Sequence, residues 1–124
     1  MVQVGIIGGA GYTAGELIRL LIHHTKAEIN FVYSTSNAGN KISAVHQDLV
    51  GSIDLVFTDD VNSNIDVLFL CLGHGNSVKF LENNSFSENT KIIDLGNDFS
   101  WKMIKYFKIK HLFMVCQNYT KKLL

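Results

Sequence analysis

The sequence predicts an α/β fold, a doubly wound parallel sheet with helices packed on its faces. Three observations lead there. Apolar runs of β character recur at 2–7, 29–34, 66–72 and 91–95, and segments of helical period lie between them. The first run passes into the first helix through a glycine-rich turn, Gly8-Gly9-Ala10-Gly11. A strand buried on both faces reads as a continuous apolar run rather than an alternating one. Strands alternating with helices then require right-handed crossovers and a parallel sheet.

The elements follow in order. Val2 to Ile7 is the first strand, broken at Gly8. Over 13–24 the period changes: Leu17, Leu20, Leu21 and His24 fall at helical spacing, and Thr13 with Glu16 forms an S/T-x-x-E capping box at the helix start. Ile29 to Ser34 is the second strand, 35–41 a polar glycine-containing loop, 42–49 a short helix and 53–57 a weak strand. Asp66 to Leu72 is the clearest buried strand of the middle, and Gly73-His74-Gly75 ends it. A helix begins at Ser77 to Leu81, and Lys91 to Leu95 is a further short strand before Gly96-Asn97-Asp98. After Phe99 the aromatics and lysines follow neither period, so 100–124 is not expected to continue the strand–helix alternation.

Bulk composition narrows the function classes. A chain of 124 residues holds one domain. Eleven basic residues balance eleven acidic ones, so neither a nucleic-acid nor an anionic-membrane surface is expected. No apolar run approaches the ~20 residues of a membrane span. The amino end reads directly as a strand without a signal-peptide pattern, which makes the cytoplasm the expected location. Cys71 and Cys116 show no C-x-x-C pairing and no metal-ligand spacing, so both are expected as reduced thiols and no metal site is expected. Cys71 falls inside a strand with no visible base beside it, and a core thiol is the better reading than a nucleophile. Proline is absent, where average usage would give roughly six.

The chemical signal is the glycine turn. Gly8 permits the tight turn, Gly11 lets a backbone approach a diphosphate, and Ala14 or Gly15 allows close helix–sheet packing. The helix amino terminus then offers free N–H groups and partial positive charge, placing Tyr12 and Thr13 beside the phosphates. This arrangement predicts a small-molecule dinucleotide as the ligand of a Rossmann-type fold. An NAD site usually carries an acid at the end of the second strand to hold the ribose 2′-OH. Here Ser34-Thr35-Ser36-Asn37 brings hydroxyls, with Lys41 nearby and no acid, which suits the 2′-phosphate of NADP. His74 and Gly75 follow a buried strand whose carboxyl end should face the ligand crevice, and a positioning role near the nicotinamide is expected for His74. The candidate cofactor-binding residues are therefore Gly8, Gly11, Tyr12, Thr13, Ala14, Ser34, Ser36, His74 and Gly75, and no catalytic residue is assigned.

Four segments together resemble N-acetyl-gamma-glutamyl-phosphate reductase, and more distantly aspartate-semialdehyde dehydrogenase. They are Val4 to Leu17, Ser34 to Gly39, Phe69 to Gly75 and Ile92 to Phe99, of which Gly-Tyr-Thr-Ala-Gly-Glu-Leu and Asp-Leu-Gly-Asn-Asp-Phe are the most specific. Gly73 departs from the family, where many members have proline before His-Gly. The resemblance implies a NADPH-dependent reduction of an acyl phosphate to an aldehyde in arginine biosynthesis: a cysteine attacks, phosphate leaves, and hydride resolves the thioester. The family's cysteine, in a Pro-Gly-Cys context, and its later histidine are not matched by Cys71, Cys116 or any histidine here. The chain is thus expected to hold the cofactor-binding portion, 1–99, of an incomplete Rossmann domain and to be inactive alone. The resemblance implies oligomers in full-length relatives, formed through a domain not represented here, so no interface is inferred from this sequence.

The last segment, 100–124, matches no family motif as written. Read from the third base of each codon, as after loss of one base following Phe99, it changes character. Trp101-Lys102 forces Glu, Met103-Ile104 forces Asp, Met114-Val115 forces Gly and Asn118-Tyr119 forces Leu. The remaining codons permit L-E-N-D-K-V-F-Q-N-K-T-F-V-Y-G-L-P-E-L-Y-K-K, which contains the family's Tyr-Gly-Leu-Pro-Glu and a proline. A frameshift origin is therefore expected for 100–124. The alternative reading is a free-standing NAD(P)-binding module with 100–124 as a genuine docking helix.

Overall fold

The computed structural model describes residues 1–72 and 76–95 in full, together with the backbone of 112–116 and 119–122. Among the described residues six strands form one sheet: β1 Val2–Ile7, β2 Ala27–Tyr33, β3 Val67–Leu70, β4 Lys91–Asp94, β5 Leu112–Cys116 and β6 Tyr119–Lys122, in the order β2-β1-β3-β4-β5-β6. The first five run parallel, and β6 returns antiparallel on β5. The helices are α1 Tyr12–Leu21, α2 Ile42–Val45 and α3 Asn76–Asn83, with a 3-10 turn at Gln47–Leu49.

Strand periodicity divides the core between the two faces. On one face Val4, Ile6 and Val32 pack with Ala14 and Ile18 of α1, Ile42 of α2, Leu49 and Phe57. On the other, Ile7, Phe31, Leu68, Leu70 and Ile92 pack with Phe80 and Leu81 of α3 and Ile65. Helices therefore cover both faces, which is the doubly wound arrangement expected of the apolar runs. The chain leaves β1 for β2 on one side and then places β3 on β1's other side. That reversal makes the carboxyl ends of β1 and β3 the place where such sheets open a ligand crevice.

The structure departs from the sequence reading in four places. Helix α1 starts at Tyr12 and ends at Leu21, and its N-cap is Gly11 in an extended conformation, with no side-chain capping bond. Thr13 therefore lies inside the first turn and does not form the expected box, while Glu16 pairs with Arg19 at 2.6 Å. His24 lies past the helix and accepts a hydrogen bond from the Lys26 N–H at 3.0 Å, so it is not on an apolar helical face. The expected strand at 53–57 is reduced to isolated bridges, Lys41 with Val56 and Tyr33 with Thr58, because the segment's backbone bonds go to the loop 39–42 as much as to β2. Finally, β5 extends the parallel sheet from β4, and β6 turns back on it, in a segment whose side-chain pattern predicted no strand.

Candidate functional site

The glycine turn stands at the carboxyl end of β1, beside the loop leaving β3. Gly8 has φ of +80°, a left-handed conformation that favours glycine. A Cβ there would also lie 2.8 Å from the Cys71 carbonyl oxygen and 2.9 Å from Leu72, so the turn presses against the end of β3. The Cys71 N–H completes the junction by donating to the Ile7 carbonyl at 2.8 Å. The N–H groups of Gly8 and Gly9 both donate to the Tyr33 carbonyl at 3.0 Å, which ties the turn to the end of β2. These two donors are thereby spent on the fold.

The next amides are placed differently. A Cβ on Gly11 would meet nothing within 4 Å, so the backbone there borders open space. Gly11 caps α1 without a side-chain bond, and the first N–H that closes the helix is that of Gly15, donating to the Gly11 carbonyl at 3.0 Å. The N–H groups of Tyr12, Thr13 and Ala14 have no carbonyl four residues back within the helix, which is the ordinary state of a helix amino terminus. Their partial positive charge gathers at the amino terminus of α1, just past the carboxyl end of β1. Tyr12 and Thr13 are exposed, whereas Ala14 is fully buried against the sheet. Ala14 thus serves helix–sheet packing and contributes only its backbone to the opening.

At the end of β2, Ser34 is buried and its N–H donates to the Thr58 carbonyl at 3.0 Å. Ser36 is exposed, and its hydroxyl accepts from the Asn37 amide at 3.3 Å. Lys41 is also exposed, so the polar stretch after β2 presents hydroxyls and a cation to solvent. His74 and Gly75 lie outside the described residues. Cys71 follows β3 directly and packs half-buried against the cluster on the α1 face. Burial, and secondarily the negative charge of Asp94, pushes its thiol up to about 12, so it holds its proton at any physiological pH. Asp94, the last residue of β4, is fully buried and accepts a hydrogen bond from the Ser77 hydroxyl of α3 at 3.4 Å.

One residue the sequence reading passed over is His46. Its Nε2 lies 2.6 Å from the Gly9 carbonyl oxygen. A carbonyl only accepts, so Nε2 carries the proton and donates. The ring packs on Gly15 of α1, where a Cβ would lie 2.7 Å from Nδ1, and tilts against Phe57 with centroids 6.3 Å apart. Arg19 of α1 secures the same segment by bonding to the Asp48 carboxylate through Nε at 2.7 Å, and that pairing holds the Asp48 carboxyl below its usual range. No motif announces His46, because its partner is a backbone oxygen 37 residues away.

A family model described as the NAD-binding domain of semialdehyde dehydrogenase matches residues 3–117. The chain belongs to that family. The semialdehyde dehydrogenase match runs past residue 99, where the recognisable motifs stop. Among curated relatives, the N-acetyl-gamma-glutamyl-phosphate reductase of Flavobacterium johnsoniae is 57% identical over 89% of this chain, and that of Bacteroides fragilis is 59% identical over 80%. These relatives bear out the resemblance drawn from the glycine-turn and Asp-Leu-Gly-Asn-Asp-Phe motifs. The chain spans about a third of their length, 34% and 31% respectively. A crystal structure of aspartate semialdehyde dehydrogenase with NADP from Candida albicans superposes with a TM-score of 0.61, at 21% identity, over 78% of this chain and 30% of that one. That likeness supports the fold.

Membership in this NAD-binding family makes a nicotinamide dinucleotide the ligand class. Among the described residues no group of three or more His, Cys, Asp or Glu side chains is placed to hold a metal ion. Nor, among those residues, is any helix long and apolar enough to cross a membrane.

Proposed function

We propose that this chain is the cofactor-binding part of an N-acetyl-gamma-glutamyl-phosphate reductase and that its ligand is NADPH, held over the carboxyl ends of β1 and β2. The observation that carries the reading is the division of labour within the glycine turn. Gly8 and Gly9 give their N–H groups to Tyr33 and lock the turn in place, while the backbone at Gly11 borders open space and the first N–H groups of α1 have no partner within the helix. The diphosphate would lie on the N–H groups from Ala10 to Ala14. Ser34, Ser36 and Lys41 would face the adenosine ribose, where a phosphate at the 2′ position is favoured by the cation and by the lack of an acid. His74 and Gly75 would border the nicotinamide. When bound, the dinucleotide supplies hydride; this chain's own groups bind and orient it. Such a reaction on soluble metabolites, with a reduced thiol at Cys71, suits the cytoplasm.

Neither Cys71 nor Cys116 stands in the Pro-Gly-Cys context of the family's attacking cysteine, and the raised Cys71 thiol is unsuited to that role, so no turnover is expected from the 124-residue chain. Calorimetric titration with NADPH and NADH tests the binding reading, with NADPH expected to bind more tightly. NADPH-dependent reduction of N-acetylglutamyl phosphate by the purified chain would overturn the inactivity. Residues 100–124 are proposed to derive from a shifted reading frame, and resequencing the gene around codon 100 decides it: codons incompatible with the shifted reading remove the idea. A free-standing dinucleotide-binding module is the second reading, supported by the β5–β6 pair on the sheet. An unshifted frame together with a single unfolding transition raised by NADPH would favour it.

A further inference from the structure

We infer that His46 is a positioning residue for the dinucleotide, setting the orientation of the Gly9–Ala10 peptide so that the Ala10 N–H faces the diphosphate. The inference rests on the binding site proposed above and adds to it a residue that need not touch the ligand.

A trans peptide points its C=O and the following N–H in opposite directions. The Gly9 carbonyl is drawn toward His46 Nε2 at 2.6 Å, so the Ala10 N–H is turned to the opposite side. Upstream the same residue is held through its N–H, which donates to Tyr33 at 3.0 Å. Gly9 is therefore gripped at both ends, and a side chain is excluded by the Val32 methyl and by Phe57. His46 is itself placed from three sides. Its ring fills the space left by the missing Cβ of Gly15, it leans on Phe57, and the Arg19–Asp48 pair ties the following 3-10 turn to α1. Gly15 accordingly has a specific purpose: it admits the imidazole that orients the turn. Without the His46 donor, the Gly9–Ala10 plane is free to rotate and the Ala10 N–H loses its fixed direction.

The test compares His46→Leu, His46→Gln, Gly15→Ala and the pair Gly15→Ala with His46→Ala in the 124-residue chain, by calorimetric titration with NADPH and by thermal unfolding. Loss of one such hydrogen bond predicts binding weaker by roughly ten-fold for His46→Leu. His46→Gln, which keeps a donor, should recover most of that loss. Gly15→Ala should weaken binding by displacing the ring, and the same change should cost much less when His46 is already alanine. A purely structural role would lower the unfolding midpoint in the Leu and Gln variants without restoring affinity in Gln. Wild-type binding unchanged in His46→Leu, or lost equally in Leu and Gln, overturns the inference while leaving the proposed site intact. If His46→Leu does not fold, folded Gly15→Ala with undiminished affinity overturns it equally. Absence of NADPH binding in the folded wild-type chain overturns the site and the inference together.

Discussion

Replacing Gly9 and Gly11 separately with alanine should split folding from binding within one turn. At Gly9 the new methyl would intrude on Val32 Cγ1 and lie 3.1 Å from Phe57 Cε1. Both neighbours are only 1% exposed, and a β-branched valine in a strand has little rotamer freedom with which to retreat. Overpacking of this kind costs about 1–3 kcal/mol, and the upper end applies where neither neighbour can give. For a domain of this size, a loss of about 3 kcal/mol lowers the unfolding midpoint by roughly 15 °C. At Gly11 the methyl meets no protein atom within 4 Å, and the φ and ψ of −81° and 170° are open to any residue. Alanine is a poorer N-cap than glycine, but it also narrows the unfolded ensemble, and the two effects are of similar size, so the midpoint should move by only about a few degrees. The methyl would stand instead between the turn and the diphosphate. Losing charge-assisted contact there predicts NADPH binding weaker by about ten-fold or more. Differential scanning calorimetry and NADPH titration of both variants make the comparison. A Gly9→Ala chain as stable as wild type, or a Gly11→Ala chain that binds NADPH unchanged, refutes the reasoning.

Three further outcomes are expected. Cys71, with its thiol at about 12 against an ordinary 9.0, should resist iodoacetamide. At pH 9 its thiolate fraction is about one in a thousand, so labelling should run roughly 500-fold slower in the folded chain than in denaturant, and equal rates would contradict the burial. The sign of the linkage follows: the unfolded thiol ionises first, so the contribution to stability is intact below pH 9.0 and is lost as pH rises toward about 12. A Cys71→Ala chain should show a shallower alkaline loss in midpoint, measured from pH 8 to 11. Ser36→Glu places an acid where an NAD site holds the ribose 2′-OH, and should weaken NADPH by about ten-fold while sparing NADH; a parallel loss of both would place the ribose elsewhere.

Sequence pattern disclosed the sheet because each parallel strand is buried on both faces and must be apolar throughout. Val2–Ile7 was legible to the residue, whereas the reversal of strand order around β1 came from the structure, since right-handed crossovers alone do not fix which side of β1 each strand takes. The glycine turn was legible as a turn, since the left-handed φ of Gly8 and its close contact with the Cys71 carbonyl both favour glycine. What stayed hidden depends on backbone partners rather than side-chain periods. The Thr13–Glu16 spacing suggested a cap, but Gly11 already holds the extended conformation a cap requires, leaving no place for Thr13 in that role. His46 was invisible for the same reason: its partners are the Gly9 carbonyl and the bare face of Gly15, neither of which leaves a motif. β5 and β6 pair through main-chain groups in a segment whose aromatics keep no period, so backbone pairing rather than amphipathicity defines them.

The central claim is that main-chain N–H groups at the start of α1 receive a dinucleotide's diphosphate. Titrating an isotopically labelled chain with NADPH and following its backbone amide resonances tests that claim most directly. The largest shifts are expected from residues 10–14, with smaller ones at Ser34 and Ser36. Saturation that leaves residues 10–14 unmoved while other parts of the sheet respond, or no response at all from a folded sample, would contradict it.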